Sequence, residues 1–358
     1  MRHLELFAGI GGFRRAMDLL SMDGVMNFVC VGFSEIDPKA IQTYTSNFNH
    51  SAEEVRMGDI VSFTANEQNI RSLPQFDLLT GGFPCQTFSM MGKKAGFNED
   101  RGQMFFRIID ILSIKKPKYV LLENVKNLLK HDGGHTYETI EHELEKIGYN
   151  VYTNIFNTSD FHLPQTRSRA LIFASRKKLK QNEARDFTPE NVKQLFDSEY
   201  KSKSVLKYDT VLDLLEKDVD QKYFLSDKIK PTILADGSSN FKSKSEINKL
   251  IARPLTATMH KMHRACQDNY YSIEFINSCG QQNFAETMSK GQLCHQPIRK
   301  ITPEEAFMLQ GFPADFVINA RNNGVTDGAL YKQAGNAVSV NTIYAVLFYL
   351  IKMGIITE

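Results

Sequence analysis

Gly81-Gly82-Phe83-Pro84-Cys85-Gln86-Thr87-Phe88-Ser89 is the stretch on which the reading of this chain turns. Before it, Phe76-Asp77-Leu78-Leu79-Thr80 is an apolar run of strand length. Two glycines and a proline then stop the strand and force a turn. The turn carries Cys85 to the end of a strand, where open α/β sheets place their ligands. A lone cysteine is commonly a small buried apolar side chain. Four other stretches supply what a thiolate needs, and they decide between the two readings.

Upstream, Leu4-Glu5-Leu6-Phe7 reads as a strand and Ala8-Gly9-Ile10-Gly11-Gly12 as a glycine turn. A helix from Phe13 to Leu20 follows, apolar at Phe13, Ala16, Met17 and Leu20. Strand, glycine turn and helix N-terminus together make a cofactor-binding element. The dinucleotide pattern Gly-x-Gly-x-x-Gly fails at Arg14, so the signal for NAD or FAD is weak; a nucleoside cofactor without a pyrophosphate would not require that spacing. Asn27 to Ser34 is the second strand, ending in Glu35-Ile36-Asp37-Pro38. Glu35 is placed to accept from ribose hydroxyls, Asp37 to cap the helix that Pro38 begins. Gly58-Asp59-Ile60 closes a third strand, with Asp59 a candidate acceptor for an adenine amino group.

Downstream, Met90 to Gly102 is polar and glycine-containing, a candidate lid. Gln103 to Ile114 is an amphipathic helix, and the strand Lys118–Leu122 ends in Glu123-Asn124-Val125. A helix over 136–147 and a strand over 150–157 precede Gln165-Thr166-Arg167-Ser168-Arg169, which leads into the strand 170–174. Arg167 and Arg169 are two apart on an extended segment and are expected on one face. After Arg176 the chain turns Lys/Asp/Ser-rich with weak periodicity until Arg299. Thr302 and Glu305 then form a capping box, and a final apolar helix to Ile351 is expected to pack on the first domain.

Composition fits these elements. The 358 residues are 42% hydrophobic and 23% charged, ordinary for a globular chain with room for one large core and a smaller domain. No signal peptide or membrane-length run is read, and five irregularly spaced cysteines argue against a disulfide framework, so a cytoplasmic setting is expected. Residues 177–300 hold 21 Lys+Arg against 16 Asp+Glu, a net +5, while the remainder carries −3. A basic middle segment permits a polyanionic partner. His260, His263, Cys266, Cys279, Cys294 and His295 lie there without Cys-x-x-Cys spacing, so no metal site is assigned.

The ordered set of motifs resembles the DNA (cytosine-5)-methyltransferases of the bacterial type. Phe7-Ala8-Gly9-Ile10-Gly11-Gly12 resembles their cofactor loop, Pro84-Cys85-Gln86 their nucleophile motif, and Glu123-Asn124-Val125 their second catalytic motif. Gln165-Thr166-Arg167-Ser168-Arg169 resembles their Gln-x-Arg-x-Arg motif, and the stretches from Arg299 to Pro313 and from Gln333 to Val338 their last two blocks.

The resemblance implies an α/β fold of the S-adenosylmethionine-dependent methyltransferase (Rossmann-like) type, a mixed, mainly parallel sheet with helices on both faces. Residues 1–176 plus 329–358 would form the catalytic domain, and 177–328 a smaller, irregular target-recognition domain. It implies S-adenosylmethionine as cofactor, lined by Phe7, Gly9, Gly11, Glu35, Ile36, Asp59, Ile60, Pro84, Met104, Asn336 and Val338. Ile36 departs from the aromatic residue common at that position. The catalytic set would be Cys85, Glu123, Arg167 and Arg169, methylating C5 of a flipped-out cytosine through a Cys85–C6 adduct. Glu123, holding a proton, would bond N3 and the amino group, and Arg169 would hold O2 with Arg167 in support. Double-stranded DNA is the implied partner, met by a monomer, in a restriction–modification system with a cognate endonuclease or as a stand-alone methylase. A tRNA cytosine-5 methyltransferase and a non-catalytic DNA-binding relative are the alternatives. The first carries a Cys-Phe-Thr signature absent here, and the second is opposed by the presence of Cys85, Glu123 and Arg169.

Overall fold

The computed structural model describes residues 1–84, 103–236, 244–261, 265–278 and 290–358. Seven strands form one sheet: β1 (Arg2–Leu6), β2 (Val29–Phe33), β3 (Val55–Arg56), β4 (Leu78–Gly82), β5 (Tyr119–Val125), β6 (Asn150–Asn157) and β7 (Ser168–Ser175). Their order is β3-β2-β1-β4-β5-β7-β6, with β7 antiparallel to both neighbours and the other pairs parallel. β5 buries six consecutive residues, Tyr119 to Asn124, as a central strand covered on both faces must. From β1 the chain builds outward to β2 and β3, and from β4 in the opposite direction. The sheet therefore has a switch point between β1 and β4, where a crevice opens at the strand C-termini.

β4 corrects one expectation: Gly81 and Gly82 lie within the strand rather than ending it. Their missing side chains allow close neighbours, because a Cβ on Gly81 would sit 3.1 Å from the Leu6 carbonyl oxygen. Helices α1 (Gly12–Met22), α2 (Pro38–Asn47) and α3 (Ile60–Thr64) follow the first three strands. The core beneath the sheet gathers Leu4, Leu6, Leu79, Phe105, Val120 and Leu122 with their neighbours.

The chain divides into two compact units: Met1–Asn157, Ser168–Val205 and Val338–Glu358 form one, Thr158–Arg167 and Leu206–Ala337 the other. The division departs from the sequence boundaries on both sides. Residues up to Val205 join the first unit because the helix Pro189–Glu199 buries Val192 and Phe196. Phe196 meets the Tyr344 ring at 6.1 Å, and Asp23 accepts hydrogen bonds from the Ser204 amide and hydroxyl and from the Tyr344 hydroxyl. The C-terminal helix Val340–Lys352 buries every residue from Val340 to Leu350, Asn341 and Thr342 included. The apolar stretch Asp327–Lys352 has the length and composition of a membrane span, which the sequence reading missed, yet 83% of its most apolar window is buried inside the protein.

The second unit is sparse in regular structure. It holds a two-stranded ladder, β8 (Tyr270–Ser272) and β9 (Ile298–Lys300), over a small core of Ile233, Leu234, Ala265, Tyr270 and Ile298. The Thr302–Glu305 capping box forms as read, and Glu305 is also paired with Arg299 where both side chains are fully buried.

Candidate active site

Leaving β1, the backbone adopts left-handed conformations at Phe7, Gly9 and Gly11, with φ of +53°, +55° and +84°. For Phe7, which has a Cβ, that costs about 1–2 kcal/mol. The end of β2 holds the loop in this shape: Ser34 Oγ accepts from the Phe7 amide at 3.2 Å and Ser34 O from the Ala8 amide at 2.9 Å. The glycines divide by what faces them. Nothing lies within 4 Å of a Cβ on Gly9, whereas one on Gly11 would strike the Phe48 ring at 2.3 Å. A Cβ on Gly12 would meet the Val338 carbonyl oxygen at 2.7 Å. Gly9 leaves room for a ligand; Gly11 and Gly12 are small so that the protein can pack.

Glu35 turns its carboxylate onto backbone amides, accepting from Gly9, Ile36 and Asp37, each at 2.8 Å. A carboxylate has about four lone-pair sites, so capacity for one further donor remains. Asp37 caps α2 through the Lys39 amide, as read. Ile36 is 65% exposed, an apolar side chain left open beside the loop. Asp59 caps α3, accepting from the Val61 and Ser62 amides and the Ser62 hydroxyl, which draws its pKa down. Ile60 is buried in the core, and Met104 and Phe7 pack against that core from its edge.

The ends of β4, β5 and β7 bring the charged residues together. Gly82 stands in register with Glu123, and Arg169 with Val125, two residues beyond Glu123. Period two therefore puts Glu123 and Arg169 on one sheet face. Arg169 Nε lies 2.8 Å from Glu123 Oε1, with Glu123 only 9% exposed. The other carboxylate oxygen lies 3.4 Å from where a Gly82 Cβ would be, and the Val338 side chain 3.5 Å from the same point. Val338 thus touches both the cofactor-loop glycine and the Glu123 pocket.

Asn124, which sequence reading passed over, donates from Nδ2 to the Phe83 carbonyl at 2.9 Å. It ties the chain just ahead of Pro84, which is exposed, to the end of β5. Its position beside Glu123 was the only signal for it. Cys85 and the stretch Met90–Gly102 lie outside the described residues.

Arg167 and Arg169 do not share partners. β7 begins at Ser168, and Arg167, in the second unit, is buried with its guanidinium on the backbone carbonyls of Leu255, Gly335 and Ala337. The spacing predicts one shared face; in the structure Arg167 holds these backbone carbonyls and Arg169 pairs with Glu123. Asn336 is the exposed last residue of the helix Asp327–Asn336, in the second unit.

Comparisons with known proteins agree with this geometry. The family model for C-5 cytosine-specific DNA methylase matches residues 1–352. The chain is 37% identical to the Type II methyltransferase M1.ScrFI of Lactococcus lactis subsp. cremoris, over 96% of this chain and 76% of that protein. It is 35% identical to the Type II methyltransferase M.NlaX of Neisseria lactamica, over 96% of this chain and 94% of that one. Among solved structures, the Entamoeba histolytica methyltransferase EhMeth superposes with a TM-score of 0.71 at 20% identity, covering 100% of this chain and 99% of its own.

Proposed function

Since the chain belongs to the C-5 cytosine-specific DNA methylases, acting on DNA with S-adenosylmethionine as methyl donor, we propose how its residues divide that reaction. S-adenosylmethionine supplies a methyl group made electrophilic by its sulfonium. The residues at the switch point fit such a group: open space before Gly9, a spare acceptor site on Glu35, and the exposed Ile36 for an adenine face. Val338, Pro84 and Met104 complete the proposed lining within the first unit. Asp59, held in place by its cap on α3, and Ile60 remain in the proposed lining.

C5 of cytosine is a poor nucleophile. In the proposed reaction the Cys85 thiolate forms a bond to C6, and the electron pair of the 5,6 double bond becomes available at C5. Glu123 hydrogen-bonds N3 and the amino group, and Arg169 holds O2, where negative charge develops. C5 would take the methyl group as its bond to the sulfonium breaks and the neutral thioether leaves; a base then removes the C5 proton, and the returning electron pair expels the Cys85 thiolate from C6. The observation that carries this reading is the Glu123–Arg169 pair at the end of β5, beside Gly82, which precedes Cys85 by three residues in the chain.

The unit Leu206–Ala337 is assigned to reading the DNA sequence, because the motifs of the other unit are committed to the cofactor and the target base. The enzyme works as a monomer on a flipped-out cytosine of duplex DNA in the cytoplasm. A cognate restriction endonuclease accompanies it, as the Type II names of its relatives suggest.

The test is a duplex carrying 5-fluorocytosine at the target. Fluorine does not leave as a cation, so wild type should be trapped on Cys85, whereas Cys85→Ala should form no adduct and transfer no methyl group. Normal turnover by Cys85→Ala would overturn the mechanism.

A further inference from the structure

The two buried side chains Gln165 and Arg167 hold the backbone of one residue, Leu255, on both sides. The Leu255 amide donates to Gln165 Oε1 at 3.0 Å, and the Leu255 carbonyl accepts from Arg167 Nη1 at 3.1 Å. Each side chain also holds a second element. Gln165 Nε2 donates to Leu309 O at 2.8 Å, and Arg167 Nη2 to Gly335 O and Ala337 O at 3.1 and 2.9 Å. The backbone adds a third grip, because the Thr166 amide donates to Ala252 O and the Ala252 amide to Pro164 O.

Gly335 closes the arrangement from the far side. A Cβ there would lie 2.2 Å from the Thr256 carbonyl carbon and 2.3 Å from the Ala257 nitrogen. The Thr256–Ala257 peptide of the loop Arg253–Thr258 therefore packs directly on Gly335 near the end of the helix Asp327–Asn336, where any side chain would displace it. Its outward residues differ in kind: Pro254 and Thr258 are exposed, and Thr256 and Thr258 bring their hydroxyls to 3.4 Å of each other. A polar, exposed loop held this rigidly from beneath is a surface whose position matters.

We propose that Gln165 and Arg167 are positioning residues, which fix the Arg253–Thr258 loop as a sequence-discriminating contact with DNA. The inference rests on the reading that Leu206–Ala337 is the DNA-reading unit. Arg167 acts on the reaction through this loop and does not touch the reacting base. Discrimination between base pairs requires contacts held to about 0.5 Å, which a loop without buried supports does not keep. Lysine cannot replace Arg167 here, because one ammonium does not span three carbonyls that the guanidinium reaches from two nitrogens.

The experiment expresses wild type, Arg167→Lys and Gln165→Met in a host lacking cytosine methylases and reads every 5-methylcytosine in the host DNA. Purified enzymes are compared for trapping on a 5-fluorocytosine duplex at saturation. Both variants should methylate sites one base removed from the wild-type site, about tenfold more relative to that site than wild type does. With Gln165→Met the trapped adduct should form to the wild-type extent at saturating duplex. Merely lowered stability would reduce methylation at all sites and leave their ratio unchanged. An unchanged site ratio, with trapping by Arg167→Lys lost at saturation, would place Arg167 at the base and overturn the proposal. So would failure of both variants to melt cooperatively, which would make the clamp an element of folding. Absence of 5-methylcytosine in the wild-type host would sink the underlying reading instead.

Discussion

Arg169 and Glu123 face each other across the antiparallel pair β5–β7, with Nε and Oε1 2.8 Å apart. The contact orients the carboxylate beside Gly82 before any base arrives. Glu123→Gln should keep cofactor affinity within about twofold and lower kcat by about 10²-fold, the scale of acid–base assistance. Single-turnover methylation and a cofactor titration separate the two. An effect confined to KM would reassign Glu123 to binding.

The glycines of the cofactor loop should fail in different ways. Gly9→Ala meets open space, so it should cost only the left-handed strain of about 1–2 kcal/mol while blocking the ligand's approach. Gly11→Ala drives a methyl group into Phe48 and Tyr44 and should lower the melting temperature more. Thermal melts run with cofactor titrations check the contrast, and equal losses of affinity and stability in both variants would contradict it.

Ile36 offers a gain of function. Ile36→Phe adds a ring at a 65% exposed position, where an aromatic contact is worth about 0.5–1.5 kcal/mol. Cofactor Kd should fall by about twofold to tenfold, read by calorimetry. An unchanged Kd would remove Ile36 from the adenine face.

Much of this was legible from local pattern. The strand Asn150–Asn157, the Asp37 cap and the Thr302–Glu305 capping box need only neighbours in sequence to specify them. What was misread depends on distance. Gly81 and Gly82 read as strand breakers because their reason, the close approach of Leu6 and Glu123, comes from other strands. Arg167 read with Arg169 by spacing, yet its partners lie 88 to 170 residues away. The residues up to Val205 were given to the second domain because composition registers polarity, not the few apolar anchors, Phe187, Val192 and Phe196, that dock them.

The Arg299–Glu305 pair should be costly to break from either side. Both side chains are fully buried, and Glu305 also accepts from the Thr302 and Glu216 amides. Arg299→Ala would leave a buried carboxylate without its cation, a loss of about 3–5 kcal/mol. Urea melts of the full chain measure it. A loss below about 1 kcal/mol would mean that water or another cation replaces the arginine.

Two buried groups on β1 give the fold an opposed pH dependence. Burial pushes the Glu5 carboxyl up from 4.5 to about 8, against the opposing pull of Arg14, and pushes His3 down from 6.5 to about 3. For Glu5 the folded value lies above the unfolded one. Its contribution is therefore complete below pH 4.5 and is lost as pH rises towards 8. For His3 the folded value lies below the unfolded one, so its contribution is complete above pH 6.5 and is lost as pH falls towards 3. Each slope is about 1.4 kcal/mol per pH unit. Between pH 4.5 and 6.5 the two slopes cancel, so these residues set a plateau with a fall on either side. Glu5→Gln should remove the alkaline fall and leave the acid one, while His3→Phe should do the reverse. The measurement is the unfolding free energy of each variant minus that of wild type, at half-unit steps from pH 3.5 to 8. A difference that stays flat across pH 6.5 to 8 for Glu5→Gln would show that Glu5 keeps its charge in the fold, and that Arg14 outweighs burial.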